Sequence, residues 1–259
     1  MNYKSIILKN NKKFIYSITL NCPSNGNALN NRMVNELTHA LKELSKQKKC
    51  RVIIIQSSSK IFCAGADLNE LKEMQKNNYS KNLNDSKKLM SLFKIILSIE
   101  KLVIAKVNGA AIAGGCGLAT ACDIIFGSEK SKFGYSEVNI GFVPALVSTY
   151  LPKRINSAIA KEILLTGKIL NFEEAREINL INYSVDAKKI DTTVNEYADK
   201  FIQKSSPQSV MEIKKMLFNF YEIEEKMNTA CEINAKSRKN TDCIKGIDRF
   251  LKKEKNNWN

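Results

Sequence analysis

AIAGGCGLATACDI, residues 111–124, places Gly114, Gly115 and Gly117 within four positions, ahead of an apolar run that ends in Cys122-Asp123. It follows a buried-strand pattern, LVIAKVNGA, and leads straight into another, CDIIFGS. A backbone stripped of side chains between strand and helix serves one of a few purposes. A phosphate-binding P-loop needs Lys-Ser/Thr after its last glycine, and none follows. A dinucleotide-binding turn is matched in part by Gly115-x-Gly117-x-x-Thr120, with the acidic Glu137 further along. The next strand begins too soon for that reading, because only about two helical turns fit where a parallel crossover needs a full helix. Two readings are left. The stretch is a plain structural turn, or the amides opening a short helix over 115–121 form an anion site that glycine lets a ligand approach.

A second junction of the same kind stands at CAGADL, residues 63–68, where Asp67 is placed to cap a short helix. Its plain alternative is an ordinary capped turn. Taken together, two buried strands each deliver small residues to a helix start. Two such N–H groups converging on one point would make an oxyanion hole. Glu137, in FGYSEVNIG, interrupts an apolar stretch just past a strand. It is either a solvated turn residue or an acid whose pKa is raised by apolar surroundings and suits proton transfer.

Composition narrows the classes. With 259 residues and 44% hydrophobic content the chain can bury one good core. The opening MNYKSIILKNNKK has no apolar signal-peptide segment, and no run is long and apolar enough for a membrane span, so a cytoplasmic location is expected. The seven cysteines are odd in number and form no C-x-x-C pair, which reads as free thiols. The single histidine, His39, lies in a helical pattern, and no metal-ligand cluster accompanies it. The net charge of +15 would suit an acidic partner, but the lysines are scattered and no aromatic-interleaved basic block marks a nucleic-acid surface. Nucleic acid is therefore not an expected partner.

Strands and helices alternate to about residue 140. YKSIILKN and KFIYSITLN read as a hairpin turning at Asn10-Asn11; Asn31 to Lys49 reads as an amphipathic helix, RVIIIQS as a buried strand and 83–99 as a helix. From Ala145 the pattern turns helical, with a capping box at Asn171-Phe-Glu-Glu174 and a helix opened by Pro207. The class is α/β with a helical C-terminal unit.

Five motifs stand in order: NALN (27–30), CAGADL (63–68), NGAAIAGGCGLATACDI (108–124), FGYSEVNIGFVPA (133–145) and RFLKKEKNNW (249–258). Over essentially the whole chain they resemble the crotonase family, the enoyl-CoA hydratase/isomerase superfamily. The resemblance implies a spiral core of ββα turns carrying the acyl-CoA site, over 1–200, and a helical C-terminal oligomerisation region, over 201–259. It implies a homotrimer or homohexamer. The amides of Ala66 and Gly114 would hold a thioester oxygen. Asn27, Ala28, Leu29, Gly65 and Asp67 would contact the coenzyme A moiety. Glu137 would match the second of two catalytic glutamates.

Gly117 departs from the pattern, since hydratases of the two-glutamate type carry their first glutamate there. The gap is either a missing acid or room for a branched or carboxylated acyl group. GGCGLATACD, GFVPA and Ala145-Leu146-Val147 lie nearest to the 3-methylglutaconyl-CoA hydratase-like group. The implied reaction is hydration or dehydration of a 2-enoyl-CoA, with a Δ3,Δ2-enoyl-CoA isomerase, or a polyketide β-branching dehydratase acting on an acyl carrier protein, as alternatives. A non-catalytic acyl-CoA- or RNA-binding member is a further one. No cofactor or metal is implied, because coenzyme A is part of the substrate.

Overall fold

β1 (Ile6–Lys12) and β2 (Phe14–Leu20) open the chain as an antiparallel hairpin, followed by α1 (Asn31–Lys46). The computed structural model describes residues 2–256 and 258; Asn257, inside the last of the five motifs, lies outside them. Next comes the unit that builds the fold: β3 (Cys50–Ser57), a short β4 (Ile61–Cys63), α2 (Leu68–Met74) and an added α3 (Tyr79–Ser98). It repeats as β5 (Leu102–Val107), β6 (Ala110–Ile112) and α4 (Gly114–Ala121). It repeats again as β7 (Ile124–Gly127), β8 (Lys132–Gly134) and a 3-10 turn at Ser136–Ile140. Short elements follow: α5 (Ala145–Ser148), α6 (Leu151–Arg154), α7 (Ser157–Thr166), β9 (Ile169–Leu170), α8 (Phe172–Glu177) and β10 (Tyr183–Ser184). Four helices complete the chain: α9 (Ile190–Lys204), α10 (Pro207–Phe220), α11 (Ile223–Ser237) and α12 (Thr241–Leu251).

The first strand of each unit enters a six-stranded sheet, ordered β1-β2-β3-β5-β7-β10, and the second enters a four-stranded sheet, ordered β4-β6-β8-β9. This is the expected ββα spiral. β3, β5 and β7 are parallel neighbours, with Ile54 opposite Ile104 and Ile104 opposite Ile124. Such strands are covered on both faces, which explains why they read as unbroken apolar runs. Ile53, Ile55, Val103 and Ala105 face the main core, which also buries residues of α1, α3 and α4. Val52, Ile54, Leu102 and Ile104 face a second core, closed by Val194 and Ala198 of α9. Asp123 ends the glycine motif for a structural reason: its carboxylate accepts from Val103 N–H and from the buried Lys214 ammonium of α10, both at 2.7 Å.

Several boundaries differ from the sequence reading. The hairpin does not turn at Asn10-Asn11. Asn11 lies within β1 and accepts a hydrogen bond from Ser17 Oγ of β2, and the chain reverses further on, where Phe14 takes a φ of 72°. α1 stops at Lys46 rather than Lys49, because Cys50 already begins β3. α3 starts at Tyr79 rather than 83, since Asn78 caps it by accepting from Lys81 N–H. Two two-residue strands, β9 and β10, interrupt the helical half and extend the two sheets; they are too short to show alternation. The capping box at Asn171 and Glu174 forms as read. All seven thiols are free. His39 is half-buried on α1, within 2.9 Å of the Tyr3 hydroxyl.

Candidate active site

The two glycine junctions meet. Gly65 has a φ of 93°, and a Cβ there would stand 2.8 Å from Ala113 Cβ and Ile112 O, and 3.2 Å from Gly114 N. Only glycine tolerates that conformation and that approach. Gly115 is as tightly held, since a Cβ on it would overlap Cys63 O at the end of β4. So β4 and β6, paired in parallel, deliver their following turns to one place. A Cβ on Gly114 would lie 3.9 Å from Ala66 N, in front of the second amide. Among the described residues neither the Ala66 nor the Gly114 N–H has an acceptor. Gly114 is the first residue of α4, where helical amides have no partner of their own. Asp67 fixes the other turn by accepting from Asn69 and Glu70 N–H as the N-cap of α2.

Ala66, Gly114 and Glu137 line one cleft of about 570 Å³. Its inner walls are apolar and include Leu71, Leu89, Phe93, Phe142, Leu146 and Val147. Glu137 sits in the 3-10 turn, only 8% exposed, and its Oε2 has no partner among the described residues. Burial pushes its carboxyl up to about 7. An acid of that strength is part protonated and part ionised near neutrality, as a group that both takes and gives protons must be. The C-terminal region forms the outer wall: Phe250, Glu254, Lys255 and Asn256 line the cleft, and Asn256 Nδ2 donates to Asn139 O, two residues past Glu137.

Gly117 does not face the cleft. A Cβ on it would come within 2.5 Å of Val147 Cγ1, 3.2 Å of the Tyr150 hydroxyl and 3.4 Å of Phe93 Cζ. Tyr150 also donates to Gly117 O at 3.0 Å. The glycine therefore leaves no room for a branched or carboxylated acyl group. Its space is filled by Val147, whose side chain forms the cleft wall instead. Nor would the helix absorb a glutamate here without repacking, as helix propensity alone would suggest.

Of the other residues singled out in sequence, Leu29 lines the cleft and Asp67 a small lobe that shares part of its lining. Asn27 is fully buried: its Oδ1 accepts from Cys22 N–H, and its Nδ2 donates to the Ser57 hydroxyl and to Ile61 O. That side chain is committed to holding the turn. Ala28 is buried beside it. Gly65 acts through the approach it permits. Sequence reading took Val147 only as part of a family signature and passed over Asn234, yet both line the cleft. Val147 was within reach as an apolar residue after Pro144; Asn234, on a helix of mixed polarity, carries no comparable signal. Among the described residues no cluster of metal-ligating side chains occurs, and no helix is long and apolar enough to cross a membrane.

Residues 10–259 match the family described as enoyl-CoA hydratase/isomerase. The chain is 31% identical over 225 residues to a short-chain-enoyl-CoA hydratase of Clostridium acetobutylicum, covering 85% of this chain and 82% of that one. It is 30% identical to a crotonyl-CoA hydratase of Syntrophomonas wolfei, covering 100% and 99%. Among solved structures, an enoyl-CoA hydratase/isomerase from Xanthobacter autotrophicus Py2 superposes with a TM-score of 0.88 at 26% identity, covering 97% of this chain and 94% of that one.

Proposed function

The chain belongs to the enoyl-CoA hydratase/isomerase family, and on that premise we propose that it hydrates or dehydrates a 2-enoyl thioester of coenzyme A with one carboxylate. The observation that carries this reading is that two amides without an acceptor among the described residues, Ala66 and Gly114, line one cleft with the buried acid Glu137. The thioester oxygen accepts from both amides. The Glu137 carboxylate takes a proton from water as the water oxygen bonds to carbon 3 of the enoyl chain. The displaced π electrons collect on the thioester oxygen as an enolate, which the two amides stabilise. The carbonyl re-forms as carbon 2 takes the proton back from Glu137. Dehydration is the reverse. Neither a metal nor a further cofactor enters these steps.

Inner walls of leucine, phenylalanine and valine favour an uncharged acyl chain over a glutaconyl one, whose second carboxylate would be desolvated there. A second reading rests on Gly117: with Val147 over it, α4 brings no carboxylate to Glu137 to help grip a water. One acid suffices for a Δ3,Δ2 proton shift, taking a proton at one carbon and returning it at another. Assays on crotonyl-CoA and 3-hexenoyl-CoA separate the two. Loss of the conjugated enoyl absorbance of crotonyl-CoA is the outcome expected here. Its gain from 3-hexenoyl-CoA, with crotonyl-CoA untouched, would favour the shift. Activity on neither would contradict both.

A further inference from the structure

Asn234, on α11, lines both the main cleft and a small lobe of about 60 Å³ that shares Leu29, Ala66, Leu71, Leu89 and Phe142 with it. It is 4% exposed. Its Oδ1 accepts from Ser86 Oγ at 2.8 Å and from Arg238 Nη2 at 3.2 Å. A guanidinium can only donate, so this pair fixes which end of the amide is oxygen. Arg238 is itself held by Asp85 at 2.8 Å. The chain Asp85–Arg238–Asn234 thus locks the amide in one orientation. Its Nδ2 has no acceptor among the described residues. In Asn82, one turn before Ser86 on α3, both amide atoms are sealed away without partners; the Asn234 nitrogen is not sealed in this way.

We propose that Asn234 is a specificity-determining residue, donating a hydrogen bond to a neutral oxygen carried on the acyl chain beyond the reacting carbons. This rests on the reading of the cleft as a thioester site. A purely alkyl chain would cover the amide N–H and leave it unpaired, which a buried donor resists. The rest of the lobe fits a neutral oxygen, a hydroxyl or a ketone. Arg238 is already neutralised by Asp85, and Asp67, Glu70 and Lys88 line the same lobe, so a carboxylate would meet more negative than positive charge.

Binding of saturated thioesters, which need no turnover, tests this by calorimetry. Hexanoyl-CoA, ω-hydroxyhexanoyl-CoA and adipoyl-CoA differ only at the end of the chain. The hydroxylated thioester is expected to bind at least about tenfold more tightly than hexanoyl-CoA. Asn234→Leu is expected to erase that preference while leaving hexanoyl-CoA bound as tightly or more so. Equal binding of the two by the wild-type chain would overturn this inference and leave the thioester reading standing. Tighter binding of adipoyl-CoA would overturn the choice of a neutral oxygen. Failure of all three to bind would overturn the thioester reading and this inference with it. The wild-type comparison decides the matter even if the variant does not fold.

Discussion

Glu137 is an unusual residue energetically, because burial keeps its carboxyl protonated well above the usual carboxylate range. Unfolded, that group titrates at its ordinary 4.5; folded, it titrates near 7. Between those values the native chain keeps a proton that the unfolded chain has lost, so this group makes stability fall as pH rises through the window. Glu137→Gln removes the titration. The variant is expected to gain melting temperature over the wild type at pH 8 and little at pH 5; parallel pH profiles would show that the carboxyl is solvated. At Gly117 the prediction is steric. Gly117→Glu forces Val147 aside and is expected to cost about 1–3 kcal/mol of stability. Val147→Ala in the same chain should recover most of that loss, as thermal melts of the single and double variants would reveal. Glu137 was legible in sequence because a charge inside an apolar stretch is conspicuous. The filling of the space over Gly117 was not, because it depends on Val147 and Phe93, which are distant in sequence. Asn234 was illegible for a related reason: only the fold brings Arg238 and Ser86 to the same end of its amide.

The elements of the site are two strand-to-helix turns pressed together, and each is testable as a unit. Gly114→Pro places proline at the first position of α4, where helices accept it, and deletes one of the two amides. Turnover is expected to fall about 10²–10³-fold with the helical circular dichroism unchanged. A variant with wild-type turnover would show that the Gly114 N–H does not face the reacting oxygen. These turns could be read from the sequence because glycine spacing after an apolar run has few physical causes. What could not be read was their contact. Gly65 meets Ala113 and Gly114 only because β4 pairs with β6, and three-residue strands leave almost no periodic trace. The late start predicted for α3 has a local cause: the run around Asn78 offers several candidate caps, and only the structure shows which asparagine takes the role.

Across the whole molecule, the helical C-terminal region does two things. It closes the cleft: the backbones of Ile140 and Gly246 touch, so α12 rests directly on the turn that carries Glu137. It also leaves apolar surface on α10, where Ile213 is 51% and Phe220 72% exposed. A face of that kind calls for a partner, and a trimer or hexamer is the expected state. Light scattering should return a mass several times that of the chain, and a concentration-independent monomer would contradict this. The α/β class was legible from alternating strand and helix patterns, and the spiral came only through the resemblance carried by the motifs; the return of the tail onto the site was not legible, since amphipathic helices do not state what they cover. The central claim is that two amides and one carboxyl perform proton transfer next to a thioester. The direct measurement is deuterium entry in heavy water, at carbon 2 of the hydroxyacyl product formed from crotonyl-CoA or at carbon 4 of the product formed from 3-hexenoyl-CoA, followed by NMR with wild-type and Glu137→Gln protein. The wild type is expected to introduce deuterium, and the variant to do so at least about 10²-fold more slowly while still binding the thioester. Equal rates for the two proteins, or no deuterium with the wild type, would contradict the claim.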